Sequence, residues 1–272
     1  MKTFIHWEGN KSKYIKYISP EFPANYNSYI EPFVGSGAMF LHIMPKKWII
    51  NDINVDLITI WNLVKDNPRS FMRHIKNFSN SFNPLSKEDR IVLCRSITNA
   101  LNNPKPKHKA ISIFLMKSVV FMGHLIVKDK YKFAGLSFKY NHMHAPFNET
   151  FFNLLNEISN YLNSTNGKIY QGHYADVLKL AKRNDFVFFD PPYIEDHGYY
   201  FNYNIAESLD AKFFKELLYE VKKLDKRGVF WLMTQSDTCD VREAFKNYTI
   251  IEYPVYRYKR KQYEKELIIK NY

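Results

Sequence analysis

The sequence predicts an α/β protein: a doubly wound, mostly parallel sheet into which a mostly helical module with a β-hairpin is inserted. Three observations carry this. Residues 29–54, "YIEPFVGSGAMFLHIMPKKWIINDIN", read as strand, glycine loop, helix and strand, the way such a sheet opens. From about residue 150 the alternation of helix and strand returns, and "DFVFFDPPY" supplies an apolar strand that stops at an acid, two prolines and a tyrosine. The intervening stretch, near residues 69–125, follows helical spacing instead. The predicted division is a first part of the core over 1–66, the inserted module over 67–148 and a second part of the core over 149–272.

Each element follows from local pattern. Lys11 to Ile18 is a predicted helix, with Pro20 and Pro23 in the turn after it. Tyr29 to Phe33 is a strand, Val34 to Gly37 a loop and Ala38 to Met44 a helix. Lys47 to Asn54 forms a second strand with a polar end, and Asp56 to Lys65 a helix closed by Asn67-Pro68. The helical middle is broken at "FNPLSKED" and "NNPKPKHK". Lys128 to Tyr140 alternates and is expected to form a hairpin turning at Ala134-Gly135. Phe151 to Leu162 reads as helix, "GKIYQGHYADVL" as strand then loop, Ala211 to Leu224 as helix and "GVFWLMTQS" as strand. "YTIIEYPVYRY" and "KELIIKNY" are expected to pair antiparallel at the sheet edge.

Composition narrows the partners. Hydrophobic residues make up 46% and aromatics 17%, enough for a folded core rather than a disordered chain. Lysine and arginine number 39 against 27 acids, and the net charge of +12 favours a polyanionic partner, most simply nucleic acid. Cys94 and Cys239 allow neither a disulfide scaffold nor a four-cysteine zinc site and are read as reduced and buried, in a cytoplasmic protein. "MKTFIHWEGNKSKY" has no apolar signal core, and the apolar tract from Ile111 to Val127 carries Lys117 and His124, so it reads as a core helix rather than a membrane span. His142 and His144 have no cysteine or carboxylate nearby, and no metal is expected.

Ligands of an open parallel sheet sit off the carboxyl ends of its strands. Three candidate groups fall there: the "FVGSG" loop, Asp52 and Asp190. Gly35 and Gly37 let the backbone approach a ligand, and Asp52 is placed to accept hydrogen bonds from ribose hydroxyls, a geometry suited to a nucleoside. A structural turn explains the two glycines equally well. The third glycine of a dinucleotide fingerprint is missing, and no phosphate-binding G-x-x-x-x-G-K-[ST] loop is present.

"EPFVGSG", "NDIN" and "DPPY", in that order with an insertion before the last, resemble the Dam-type group of DNA adenine-N6 methyltransferases. "WEGNKSKY", "GHYADVLKLAKRNDFVFFDPPY" and "YFNYN" resemble the group as well, and residues 6–62 and 168–272 are covered. The resemblance implies a Rossmann-like sheet that binds S-adenosylmethionine and acts on a flipped-out adenine in double-stranded DNA. It implies Trp7, Lys11, Phe33, Gly35, Gly37, Asp52, Ile53, Tyr174 and Asp190 at the cofactor, and Asp190, Pro191, Pro192 and Tyr193 as the catalytic loop. The chemistry of that loop can be argued directly. The amino group of adenine is a poor nucleophile because its lone pair is delocalised into the ring. Two acceptors at about 2.7–3.2 Å from its hydrogens draw the nitrogen toward a tetrahedral shape. The Asp190 carboxylate and the Pro191 carbonyl can be that pair, and Pro-Pro adds rigidity without N–H donors. Tyr193 can lie flat on an extrahelical base, a contact worth about 1–3 kcal/mol.

Asp176 reads as the N-cap of "VLKLAKR". Phe201 and Tyr203 border the base pocket or floor a hydrophobic core equally well. Two basic stretches are expected on the DNA: Lys128, Lys130, Lys132 and Lys139, interleaved with Tyr131 and Tyr140, and Arg257, Lys259, Arg260 and Lys261 near the last turn. Phe121 to Gly123 echoes the group's "F-N-G" before its base-reading hairpin, but the pattern of GATC-reading members is not intact, so the recognition site stays open. A restriction endonuclease partner is one expectation, beside an orphan or phage-encoded role. The rival readings are a cytosine-N4 methyltransferase, in which serine is commoner than Asp190 at the first catalytic position, and a catalytically silent DNA-binding protein on the same fold.

Overall fold

The computed structural model describes residues 1–101, 106–119, 125–129, 132–136, 147–193, 211–257 and 261–272. The N-terminal helix expected at Lys11 to Ile18 divides into a single 3₁₀ turn, Lys11–Lys13, and a short helix α1, Ile15–Ile18. The first βαβ unit follows: β1 (Tyr29–Glu31), α2 (Ala38–Ile43), β2 (Lys47–Asp52) and α3 (Val55–Asp66). Asn54 caps α3, its side-chain oxygen accepting from the Leu57 amide at 2.9 Å. Next come α4 (Pro68–Phe82), α5 (Lys87–Ala100) and α6 (Pro106–Val119), then β3 (Leu125–Asp129) and β4 (Lys132–Leu136). They are followed by α7 (Glu149–Ser164), β5 (Asn166–Gln171), α8 (Tyr174–Leu178), β6 (Phe186–Phe189), α9 (Ala211–Lys226), β7 (Phe230–Ser236), α10 (Cys239–Ala244), β8 (Thr249–Arg257) and β9 (Gln262–Lys270).

Seven strands form one sheet in the order β5-β2-β1-β6-β7-β9-β8. The first five are parallel, while β9 runs antiparallel to both β7 and β8. The chain reverses its direction across the sheet between β1 and β6, the switch point where open α/β sheets bind ligands. This is the Rossmann-like arrangement expected.

Strand side chains alternate between two cores. Tyr29, Trp48, Ile50, Phe186, Phe188, Leu232 and Ile268 face one core, shared with α2, α3, α4, α6 and α7. Ile30, Val187, Phe189, Trp231, Met233, Leu267 and Ile269 face the other, under α8, α9 and α10. The same parity turns Glu31, Asp52, Asp190, Thr234 and Glu266, all at one edge of the sheet, toward the first side.

Five expectations are corrected. The hairpin pairs Leu125 with Leu136 and Asp129 with Lys132, so Ala134 and Gly135 lie inside β4 and the chain reverses between Asp129 and Lys132. The apolar "LIV" run, read as the end of a helix, supplies the first strand, with register shifts on either side of Val127. "HYADVL" is a short helix rather than a loop, and His173 is its N-cap. Asp176 therefore sits in the first turn, where it pairs with Lys179 at 2.6 Å on the surface. Cys94 is buried as expected, but Cys239 is exposed, because it opens α10, a helix whose pattern is hidden in "DTCDVREA". Among the described residues, no helix is long and apolar enough to cross a membrane, and no group of metal-ligating side chains occurs.

A candidate active site at the strand tips

The site begins with β6, whose four residues are fully buried and end at Asp190. Burial of Phe186 to Phe189 on both faces leaves the next residue at the rim, where a carboxylate reaches solvent; Asp190 has 18% of its side chain exposed. Thr234 of the adjacent β7 donates its hydroxyl to Asp190 Oδ1 at 2.7 Å. Lys11 reaches the same oxygen at 2.9 Å. Its ammonium also donates to the Gly9 carbonyl at 3.0 Å and stands 4.7 Å from the centre of the Tyr193 ring. Lys11 is only 7% exposed, a burial that a lysine tolerates when a carboxylate and a carbonyl receive it. Among the described residues Oδ2 of Asp190 receives no hydrogen bond. The loop beyond has Pro191 buried, Pro192 exposed and Tyr193 half-buried.

Tyr193 is held from its far end. Its hydroxyl donates to Glu266 Oε2 at 3.0 Å, and burial pushes the phenol well above its usual range, so it remains a donor. Glu266, 2% exposed, also accepts from Tyr253 and pairs with Arg257 at 3.0 Å.

The glycine loop lies one strand away. Gly35 and Gly37 both adopt left-handed backbone, with φ of +48° and +68°. A Cβ on Gly37 would stand 2.6 Å from the Trp61 ring, and one on Gly35 would stand 3.1 Å from Trp7. Trp61 also donates its indole N–H to the Gly35 carbonyl at 3.2 Å. The Asp52 carboxylate accepts from the Gly35 amide at 3.1 Å and from the Asn54 amide at 3.0 Å. Burial pushes its carboxyl up to about 6, against the opposing pull of these backbone N–H groups. Ile53 beside it is 45% exposed. Phe33 is half-buried, and its ring packs 5.1 Å from Tyr174, which is itself buried with a hydroxyl that has no partner among the described residues.

Residues that the sequence reading did not single out complete the site. Asn51 donates to the Pro32 and Gly172 carbonyls at 2.9 and 3.0 Å, tying the tip of β1 to the turn after β5. Glu31 is buried between Asp52 and Asp190 and accepts from the Tyr29 hydroxyl at 2.6 Å. Burial, with those two acids adding to it, keeps its carboxyl well above the usual range. A charged residue inside the apolar "YIEPF" was the available signal. Lys117 joins them: its buried ammonium lies 4.7 Å from the ring of Trp7, the expected cofactor residue that packs on the glycine loop, while bonding Glu8 at 2.9 and 3.0 Å.

The expected DNA-facing residues are only partly within the described chain. Lys128 and Lys132 occupy β3 and β4, whereas Lys130, Tyr131, Lys139, Tyr140, His142, His144, Lys259 and Arg260 lie outside the described residues, as do Phe201, Tyr203 and the Phe121 to Gly123 echo. Lys261 is exposed. Arg257 is turned onto Glu264 and Glu266.

A sequence model described as D12 class N6 adenine-specific DNA methyltransferase matches residues 7–258. The type II methyltransferase M1.LlaDCHI of Lactococcus lactis subsp. cremoris is 30% identical over 253 residues, covering 92% of this chain and 86% of that protein. The type II methyltransferase M.MjaIII of Methanocaldococcus jannaschii is 29% identical over 262 residues, covering 88% and 86%. The DNA N-6-adenine-methyltransferase of Escherichia phage P1 is 25% identical over 251 residues, which span 90% of this chain and 31% of that protein.

Proposed function

The chain belongs to the D12 class of N6 adenine-specific DNA methyltransferases, and from that premise we propose how its own residues divide the reaction. Membership sets the substrate as adenine in DNA, in place of the cytosine-N4 and silent-binder readings. S-adenosylmethionine supplies a methyl group already made electrophilic by the sulfonium that carries it. The glycine loop fits such a ligand: two left-handed glycines without Cβ, an acceptor carboxylate at Asp52, an exposed Ile53 and the unpartnered Tyr174 hydroxyl. Asp52 takes the ribose hydroxyls, Trp7, Phe33, Ile53 and Tyr174 wall the adenosine moiety, and Gly35 and Gly37 let the backbone close on it.

The observation that carries the catalytic assignment is that, among the described residues, Asp190 is fixed through one oxygen only. Lys11 and Thr234 hold Oδ1, which leaves Oδ2 to accept one hydrogen of the adenine amino group. The Pro191 carbonyl accepts the other. The nitrogen lone pair is thereby withdrawn from the ring, and the gain comes from alignment rather than from a strong base. Pro192 stiffens the loop, and Tyr193 stacks on the extrahelical base. Lys128, Lys130, Lys132 and Lys139, with Lys259, Arg260 and Lys261, neutralise DNA phosphates, while Arg257, expected among them, is engaged by Glu264 and Glu266; the hairpin selects the sequence. The type II naming of two relatives supports a place beside a restriction endonuclease.

The test is transfer of a tritiated methyl group to unmodified mixed-sequence DNA. Asp190→Ala is expected to lower turnover by at least about a hundredfold, the scale of removing one transition-state hydrogen-bonding group. Donor binding, followed by equilibrium dialysis, is expected to persist. Turnover at the wild-type rate in that variant rejects the role.

A further inference from the structure

We propose that Glu266 is a positioning residue for the target base, acting through the Tyr193 ring. This rests on the assignment of Tyr193 as the stacking platform and goes beyond it. A carboxylate that is 2% exposed is expensive to bury unless its lone pairs are taken up. Here Oε2 receives the hydroxyls of Tyr193, at 3.0 Å, and Tyr253, while Oε1 faces the Arg257 guanidinium at 3.0 Å.

The topology explains why the carboxylate sits there. Because β9 runs antiparallel to β7, Glu266, midway along β9, pairs with Ser236 at the end of β7, at the same end of the sheet as Asp190. On β8 its neighbour is Tyr253. The parity of β9, with Ile268 on the first face, turns Glu266 toward that face too. Glu266 is thus reached across 73 residues of sequence by the loop tyrosine that stacks the base.

The consequence is orientational. Tyr193 follows two prolines at the end of a strand, and its backbone alone fixes only one end of the side chain. Fastening the hydroxyl to a buried group that is itself clamped by Tyr253 and Arg257 fixes the other end. The ring plane is therefore set before the base arrives, and the ordering cost does not fall on the base-flipping step. Arg257 stands at the end of β8, immediately before residues 258–260, so the same carboxylate also meets the basic turn assigned to DNA.

The experiment compares Tyr193→Phe, which keeps the ring and removes the tether, with Glu266→Gln and the double variant. Wild-type label transfer to DNA is the control, and its absence counts against the function itself rather than against Glu266. Each single variant is expected to lose about tenfold in kcat, the scale of one hydrogen bond to a charged group, with KM for S-adenosylmethionine within about twofold of wild type. The double variant is expected to lose no more than the larger single loss, because both changes cut one link. The proposal is overturned by wild-type turnover in Tyr193→Phe, by losses that multiply in the double variant, or by a rise in the donor KM that accounts for the whole effect. If Glu266→Gln fails to fold, Tyr193→Phe alone decides, since Tyr253 and Arg257 still engage the carboxylate in that variant.

Discussion

Asp52 illustrates how one side chain serves two ends. It holds the glycine loop through the Gly35 amide and is raised to about 6 by burial. The folded protein binds this proton more tightly than the unfolded chain does, so the group favours folding at low pH, and that contribution is lost as the pH rises through about 6. Under the proposed assignment of Asp52 to the ribose, donor binding has the opposite requirement, because ribose hydroxyls need the ionised acceptor. The KM for S-adenosylmethionine is therefore expected to fall as the pH rises toward about 6 and then to level off. Asp52→Asn should raise that KM and flatten the inflection, as initial rates on either side of that pH will reveal; an inflection that survives the substitution places its origin elsewhere. At this scale the sequence was legible where a residue ends a strand. Asp52, Asp190 and Tyr193 stood out because an apolar run stopped at them. Thr234 did not, because it lies within β7, and Glu31 did not, because the apolar pattern of "YIEPF" continues past it although β1 ends there. Glu266 was visible as a surviving acid before "LIIKNY", but what it holds comes from 73 residues upstream.

At the scale of elements, the loop between β1 and α2 is the most constrained. Gly37 needs its left-handed backbone to begin α2, and Trp61 of α3 occupies the space a side chain would take. Gly37→Ala combines backbone strain with a clash against a rigid indole and is expected to cost about 1–3 kcal/mol. Thermal unfolding should show Tm lowered by several degrees, with weaker donor binding by dialysis; an unchanged Tm means that α3 yields without cost. Most elements were legible from period alone, including the first βαβ unit, β6, β7 and the antiparallel pair β8 and β9. The hairpin was placed several residues late because Ala134-Gly135 looks like a turn, whereas the pairing of Asp129 with Lys132 closes the chain earlier. Turn chemistry was outweighed there by the apolar run "LIV". α8 and α10 are too short for helical periodicity to register, at five and six residues.

For the whole molecule, α4 and α6 join the sheet through one shared core. Phe71, Ile75, Phe82 and Phe114 from α4 and α6 lie in the same core as Tyr29 and Trp48, so the insertion that the sequence set apart packs as a continuation of one face. At the rim of that contact, Lys117 of α6 is 1% exposed and bonds both oxygens of Glu8, while its ammonium faces Trp7, the residue that packs on Gly35. Burial pulls the Lys117 amine down and Glu8 opposes this, so the pair holds a charge that neither the core nor the indole would accept alone. Its two halves are not equivalent. Glu8→Gln leaves a buried ammonium without its carboxylate and is expected to destabilise the protein by about 1–3 kcal/mol. Lys117→Met removes the buried charge and leaves Glu8, whose side chain is 28% exposed, able to turn to water, so it should cost less. Urea unfolding of both single variants and the double variant measures this, and the double variant should be less destabilised than the sum of the two. Because Trp7 stands between this pair and the glycine loop, Glu8→Gln should also weaken donor binding. Equal losses from the two single variants, or donor affinity unmoved in Glu8→Gln, indicate that the insertion is held by apolar packing alone and that the cofactor loop is independent of it.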